Sequence, residues 1–148
     1  MTGTGAYKNG GRWNTPGHYA VYTSGNLSLA MLEVVVHVDD AEAFRKLPYV
    51  YHEVTFPQDV IATLEEADLP AGWNNRPESR ASQLVGDEWL EKQQSVALAV
   101  PSVIVPPELQ YVPSYMTYLI NPQHPDFGAA VAIGETFDLV WDPRLVKP

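Results

Sequence analysis

The chain has 148 residues, the size of one ordinary domain, and 45% hydrophobic against 18% charged residues predicts a packed core rather than disorder. A formal net charge of −9 and a pI near 4.7 argue against a broad basic face for nucleic acid, while leaving room for a local cationic pocket. The absence of cysteine excludes disulfides, thiolate metal sites and cysteine nucleophiles, and fits the cytosol.

No apolar run approaches about 18 residues, so no membrane span is expected. The opening MTGTGAYKNGG lacks the apolar stretch of a signal peptide. Residues 1–17, rich in Gly, Thr and Asn, read as loop. HYAVYTS, from His18 to Ser24, alternates between glycines and reads as a strand. Asn26 or Ser28 can cap a following helix that puts Leu29, Leu32 and Val36 on one face. The β-branched run Val34, Val35 and Val36 keeps a strand open as the alternative. PYVYHEVTFP (48–57) reads as a strand, and VIATLEEAD (60–68) as a short helix or turn. LPAGWNNRPES (69–79) is an irregular loop. Ala81 to Gln94 looks helical, interrupted near Gly86. SVALAVPSVIVP reads as a buried strand in which Pro101 makes a bulge or break. MTYLINP and ETFDLVWDP are the last strands, ending at Pro122 and Pro143. Short strands, two or three helices and no regular β-α-β rhythm suggest an α+β domain spanning residues 1–148.

Several chemistries are weak here. Gly3 and Gly5 start a G-x-G pattern, but Lys8 stands at the third glycine position and no strand precedes it, which disfavours a Rossmann dinucleotide loop. The histidines His18, His37, His52 and His124 form no H-x-x-x-H pair, so no metal site is expected. His37 follows Glu33 by four residues and reads as a helix-face neighbour. No G-x-S-x-G nucleophile elbow is present.

Three positions stand out. Arg12, between glycines and Trp13-Asn14, offers a forked donor suited to phosphate beside a flat aromatic face, or else simply closes a tight turn. Ser102 interrupts an apolar strand and serves either the backbone or a ligand. Glu33 sits in the apolar run AMLEVVV, where a desolvated carboxylate costs several kcal/mol unless compensated. A buried Glu33–Arg12 ion pair and a catalytic carboxylate both explain it, and residue types alone do not separate them.

Taken together, GTGAYKNGGRWNTPGHYAVYTSGNLSLAMLEVVVHV resembles the opening motif of the RES domain family, and LPAGW, GDEWL, AVPSVIVP, YLINPQHPDF and FDLVWDPRL resemble its later landmarks in the same order. The resemblance covers nearly the whole chain. It implies a fold similar to ADP-ribosyltransferase toxins, with short, mostly antiparallel strands and a few helices. It also implies a cytoplasmic toxin of a type II toxin–antitoxin pair that acts on NAD+, by phosphorolysis, hydrolysis or ADP-ribose transfer to a protein. By motif position it implies Arg12, Tyr22 and Glu33 as catalytic residues, and Trp13, Asn14 and Ser102 as substrate-binding residues. NAD+ would be substrate rather than cofactor, with inorganic phosphate as co-substrate if the reaction is phosphorolysis, and no metal. The implied partner is a cognate Xre-like antitoxin, with no direct nucleic-acid or membrane contact and room for a homodimer.

Two departures bear on that implication. Family members usually carry a strand ahead of the G-x-G-A loop, where this chain begins. The family often has asparagine where Thr117 stands, and Gln110, from a slightly longer link, is the nearest substitute in sequence. An NAD+-consuming enzyme, an inactive antitoxin-binding module and a structural domain built on an Arg12–Glu33 pair are therefore the competing expectations.

Overall fold

The computed structural model describes residues 1–38, 44, 46–142 and 144–145. A four-stranded sheet forms its centre, built from β1 (Val21–Ser24), β3 (Ile61–Thr63), β4 (Ala97–Val100) and β5 (Thr117–Ile120) in the order β1-β5-β4-β3. β1–β5 and β5–β4 pair antiparallel, and β4–β3 pair parallel. A separate ribbon joins β2 (Tyr49–Thr55) and β6 (Ala132–Leu139) antiparallel, with an irregular register between His52 and Val54. Short strands with a few helices agree with the expected α+β class.

β4 is buried along its whole length, as a central strand covered on both faces must be. Leu98 and Val100 point to one side, into a cluster with Trp13, Trp89, Leu90 and Leu119. Val96, Ala97 and Ile120 form the cluster on the other side, against Val54, Phe56 and Phe127. Pro101 ends the strand, since its nitrogen cannot donate to a ladder.

The helix α3 (Arg80–Lys92) is capped by Ser79, whose hydroxyl accepts from the Ser82 amide at 3.1 Å. The expected interruption at Gly86 does not occur. Gly86 is instead the contact point of the helix, because a Cβ there would overlap the Trp13 carbonyl. α3 connects the parallel strands β3 and β4 in the chain, so a single β-α-β unit exists without a regular β-α-β rhythm. The reading of 60–68 as helix or turn missed β3, whose three residues are too few to show alternation.

Other boundaries move as well. Residues 4–9 form a short helix, α1 (Thr4–Asn9), rather than loop, with Tyr7 stacked on Tyr19 at 4.3 Å. The expected strand from His18 shortens to β1. α2 (Leu27–Val35) is a helix through Val34 and Val35, so the strand alternative falls. Asn26 is its cap, accepting from the Leu29 amide at 2.8 Å. The residues at that helical spacing are not buried alike: Leu29 is 3% exposed, but Leu32 is 51% and Val36 48%. α2 leans on β1 through one edge, and much of its remaining surface borders an open cavity. A further short helix, α4 (Phe127–Ala130), leads into β6. The strand expected to end at Pro143 closes at Leu139, and Pro143 lies outside the described residues. Among the described residues no helix is long and apolar enough to cross a membrane.

Candidate active site

The turn Gly10–Asn14 is held from three directions. Gly11 donates its amide to the Asn14 carbonyl at 2.9 Å. The Gln83 side-chain amide donates to the Gly11 carbonyl at 3.0 Å. Asp87, 6% exposed on α3, accepts from the Thr15 amide and hydroxyl, both at 2.8 Å. His18 adds its Nδ1 to that carboxylate at 3.2 Å and its Nε2 to Glu91 at 3.0 Å. Gly11 must be glycine, since a Cβ would lie 2.6 Å from the Tyr22 hydroxyl.

Tyr22 is anchored by its polar end. Its hydroxyl donates to Asn14 Oδ1 at 2.8 Å and accepts from the Trp13 amide at 3.0 Å. Burial of this end raises the phenol well above its ordinary range, although the residue as a whole is 38% exposed. Both observations fit a ring whose face meets the cavity while its hydroxyl is enclosed. The single phenolic proton is committed to Asn14, so Tyr22 offers a surface rather than a proton donor.

Arg12 spends its Nη1 on the chain opposite, donating to the carbonyls of Trp73 at 2.7 Å and Asn75 at 3.0 Å. Its Nη2 faces Glu78 at 3.9 Å. Burial lowers its proton affinity, Glu78 opposes this, and Arg76 adds to it. Of the two readings left open for Glu33, the Arg12–Glu33 ion pair is not formed. Glu33, half-buried on α2, accepts from the Ser102 hydroxyl at 2.6 Å. His37 bonds the backbone carbonyl of Glu33 at 2.7 Å rather than its carboxylate. Ser102, 3% exposed, therefore serves the carboxylate, and its own carbonyl accepts from Gln110 at 3.1 Å.

Arg12, Trp13, Tyr22, Glu33 and Ser102 all line one cavity of about 900 Å³. Trp13 reaches its wall, but the ring is 2% exposed and stacked on Trp73 at 5.9 Å, so it belongs mainly to the core. Asn14 is fully buried behind the wall, donating to the carbonyls of Ala6, Thr15 and His18 and holding Tyr22. Its place is supporting rather than in ligand contact. Thr117 lines the cavity as well. Gln110 is elsewhere, tying the 102–105 turn through the Ser102 and Val105 carbonyls.

Sequence reasoning missed Arg76 and Glu78 on the cavity wall, and Asp87 behind it. Asp87 left a trace, an acid on the buried face of an amphipathic helix. Arg76 and Glu78 left none beyond lying in the irregular 69–79 loop. Among the described residues no group of three acidic or histidine side chains is placed to hold a metal ion.

The RES domain model matches residues 1–142. The chain belongs to the RES domain family. The RES protein named Toxin Res from Yersinia enterocolitica is 35% identical over 144 residues, covering 97% of this chain and 89% of that protein. Toxin Res from Photorhabdus laumondii is 37% identical, covering 99% and 88%. A protein of Sphingobium named Prs ADP-ribosylating toxin is 36% identical, covering 99% and 87%. The fold is similar to that of a chain in the crystal structure of the M. tuberculosis MbcT–MbcA toxin–antitoxin complex, with a TM-score of 0.69 over 94% of this chain and 76% of that one, at 20% identity. The RES fold is thus shared at a sequence distance where side-chain detail is not.

Proposed function

We propose that this RES protein is the toxin of a type II toxin–antitoxin pair and that it consumes NAD+ by cleaving the nicotinamide–ribose bond. The observation that carries this reading is the Glu33 carboxylate, gripped by the Ser102 hydroxyl at 2.6 Å, in one cavity with Arg12 and the Tyr22 ring. As the bond breaks, its electron pair leaves with nicotinamide, which becomes neutral, and positive charge moves to the ribose. A carboxylate fixed beside that carbon stabilises the charge as it develops. Ser102 uses one carboxylate oxygen and leaves the other for the ribose. The leaving group departs without needing a proton, so a committed Tyr22 hydroxyl is no handicap. The face of Tyr22 supports the nicotinamide–ribose end, and Arg12 faces the phosphate. The bond to the ribose carbon is completed by an oxygen of inorganic phosphate or of water.

Toxin-named relatives along nearly the whole chain support the toxin assignment. The likeness to a toxin–antitoxin complex supports an antitoxin as partner, for which we take an Xre-like protein. The setting is the cytoplasm, where NAD+ is. A second reading, ADP-ribose transfer to a protein, is favoured by the Sphingobium relative's name.

NAD+ followed by NMR in the purified chain, with and without inorganic phosphate and beside Glu33→Gln, tests this. Phosphate-dependent release of nicotinamide indicates phosphorolysis. Release independent of phosphate indicates hydrolysis, and labelled protein indicates transfer. Glu33→Gln is expected to lower turnover by roughly 10²–10³-fold with the fold intact. Full turnover in a folded Glu33→Gln chain sinks the assignment.

A further inference from the structure

The cavity wall opposite Glu33 carries a second arginine. Arg76 lines the cavity and is exposed, with no hydrogen bond or ion pair among the described residues. Its segment is not loose at this point: the Trp73 and Asn75 carbonyls, just before it, are the acceptors of Arg12 Nη1. Arg12 therefore tethers the backbone that presents Arg76. After those two bonds, the Nε and Nη2 protons of Arg12 have only Glu78, at 3.9 Å, beyond hydrogen-bond distance. Two guanidiniums with unspent donors thus share one wall, in a chain whose net charge is −9. Their mutual influence is visible, since Arg76 lowers the proton affinity of Arg12. Like charges held together favour a ligand that carries two negative charges close together.

We infer that Arg76 is a specificity-determining residue: with Arg12 it forms a subsite for a diphosphate, and Glu78 is the counter-ion the diphosphate displaces. This rests on the NAD+ reading, and it adds a rule to it. The subsite selects nucleotides by the diphosphate bridge, independently of the nicotinamide end. A mononucleotide satisfies one arginine, and a dinucleotide satisfies both.

The test compares wild type, Arg76→Ala, Arg76→Lys and Glu78→Gln. Steady-state kinetics would be measured on NAD+ and nicotinamide mononucleotide, and calorimetric binding on ADP and adenosine. Arg76→Ala is expected to raise KM for NAD+ by roughly tenfold and weaken ADP by a similar factor, because charge-assisted bonds to phosphate are lost. The kcat for NAD+ stays near wild type, the mononucleotide shifts less than about threefold and adenosine does not shift. Arg76→Lys restores part of the affinity as a point charge without the fork. Glu78→Gln tightens ADP. Unchanged KM and unchanged ADP affinity in Arg76→Ala overturn the proposal. Loss of kcat without change in KM also overturns it. ADP binding that depends on Arg76 in a chain that does not turn over NAD+ would keep the subsite and remove the NAD+ reading instead.

Discussion

The two walls of the cavity are built on opposite plans. The Arg12–Tyr22 wall is polar, and its backbone turn is tied at several points: Gln83 holds Gly11, Asp87 holds Thr15, and Asn14 with the Trp13 amide holds Tyr22. The α2 wall is apolar and open, with a single fully buried residue, Leu29, and one bond from Ser102 to position Glu33. The difference teaches where precision is needed. A planar guanidinium and a ring face work only at fixed angles, so their turn is bolted to α3. A carboxylate acts through charge over a short distance, and an apolar, weakly screening wall strengthens that action.

If the first wall depends on α3, the seam at Gly86 is its weakest point. Gly86→Ala forces a Cβ into the Trp13 carbonyl and is expected to cost about 3 kcal/mol, at the upper end for overpacking. A urea titration checks this, and an unchanged midpoint would mean that the turn is not seated on the helix. On the second wall, Ser102→Ala frees the Glu33 rotamer without changing its charge. Turnover is expected to fall roughly tenfold, the scale of one charge-assisted bond, with little loss of stability. A fall like that of Glu33→Gln would instead give Ser102 its own contact with the substrate.

The smallest effect concerns Tyr22. Its folded phenol ionises above the ordinary value of 10.0, so the unfolded chain loses this proton first as pH rises. Its contribution to stability is full below about pH 10 and declines above it. Tyr22→Phe should therefore flatten part of the alkaline loss of stability, measured as midpoint against pH. The flattening is partial, because Tyr111 and Tyr118 are also raised by burial. A slope identical to wild type would mean that the hydroxyl is not enclosed.

The same contrast explains what could be read from the residues. Glu33 in an apolar run was conspicuous because a carboxylate there contradicts its neighbours, and Ser102 for the same reason. Their mutual bond, across 69 positions, carried no local signal. The Arg12–Glu33 pair, one of the two readings left open, is not formed because Arg12 finds its acceptors in backbone carbonyls, which every residue carries and no pattern marks. The apolar spacing of α2 marks the helix but says nothing of its burial, and Leu32 and Val36 stay exposed. Periodicity tells which residues share a face, not whether anything packs on it. β3 was lost to brevity.

The bonds that define this site join distant parts of the chain: Arg12 to Trp73, Thr15 to Asp87 and Glu33 to Ser102. Among the described residues β1, which carries Tyr22, has β5 as its one sheet neighbour, and β5 begins at Thr117. During synthesis, Tyr22 thus waits until Thr117–Ile120 has been made before its strand gains this sheet partner. A nascent chain that stops short of Thr117 lacks the sheet partner of the strand that carries Tyr22, so the Tyr22 side of the cavity is assembled only once β5 has been made.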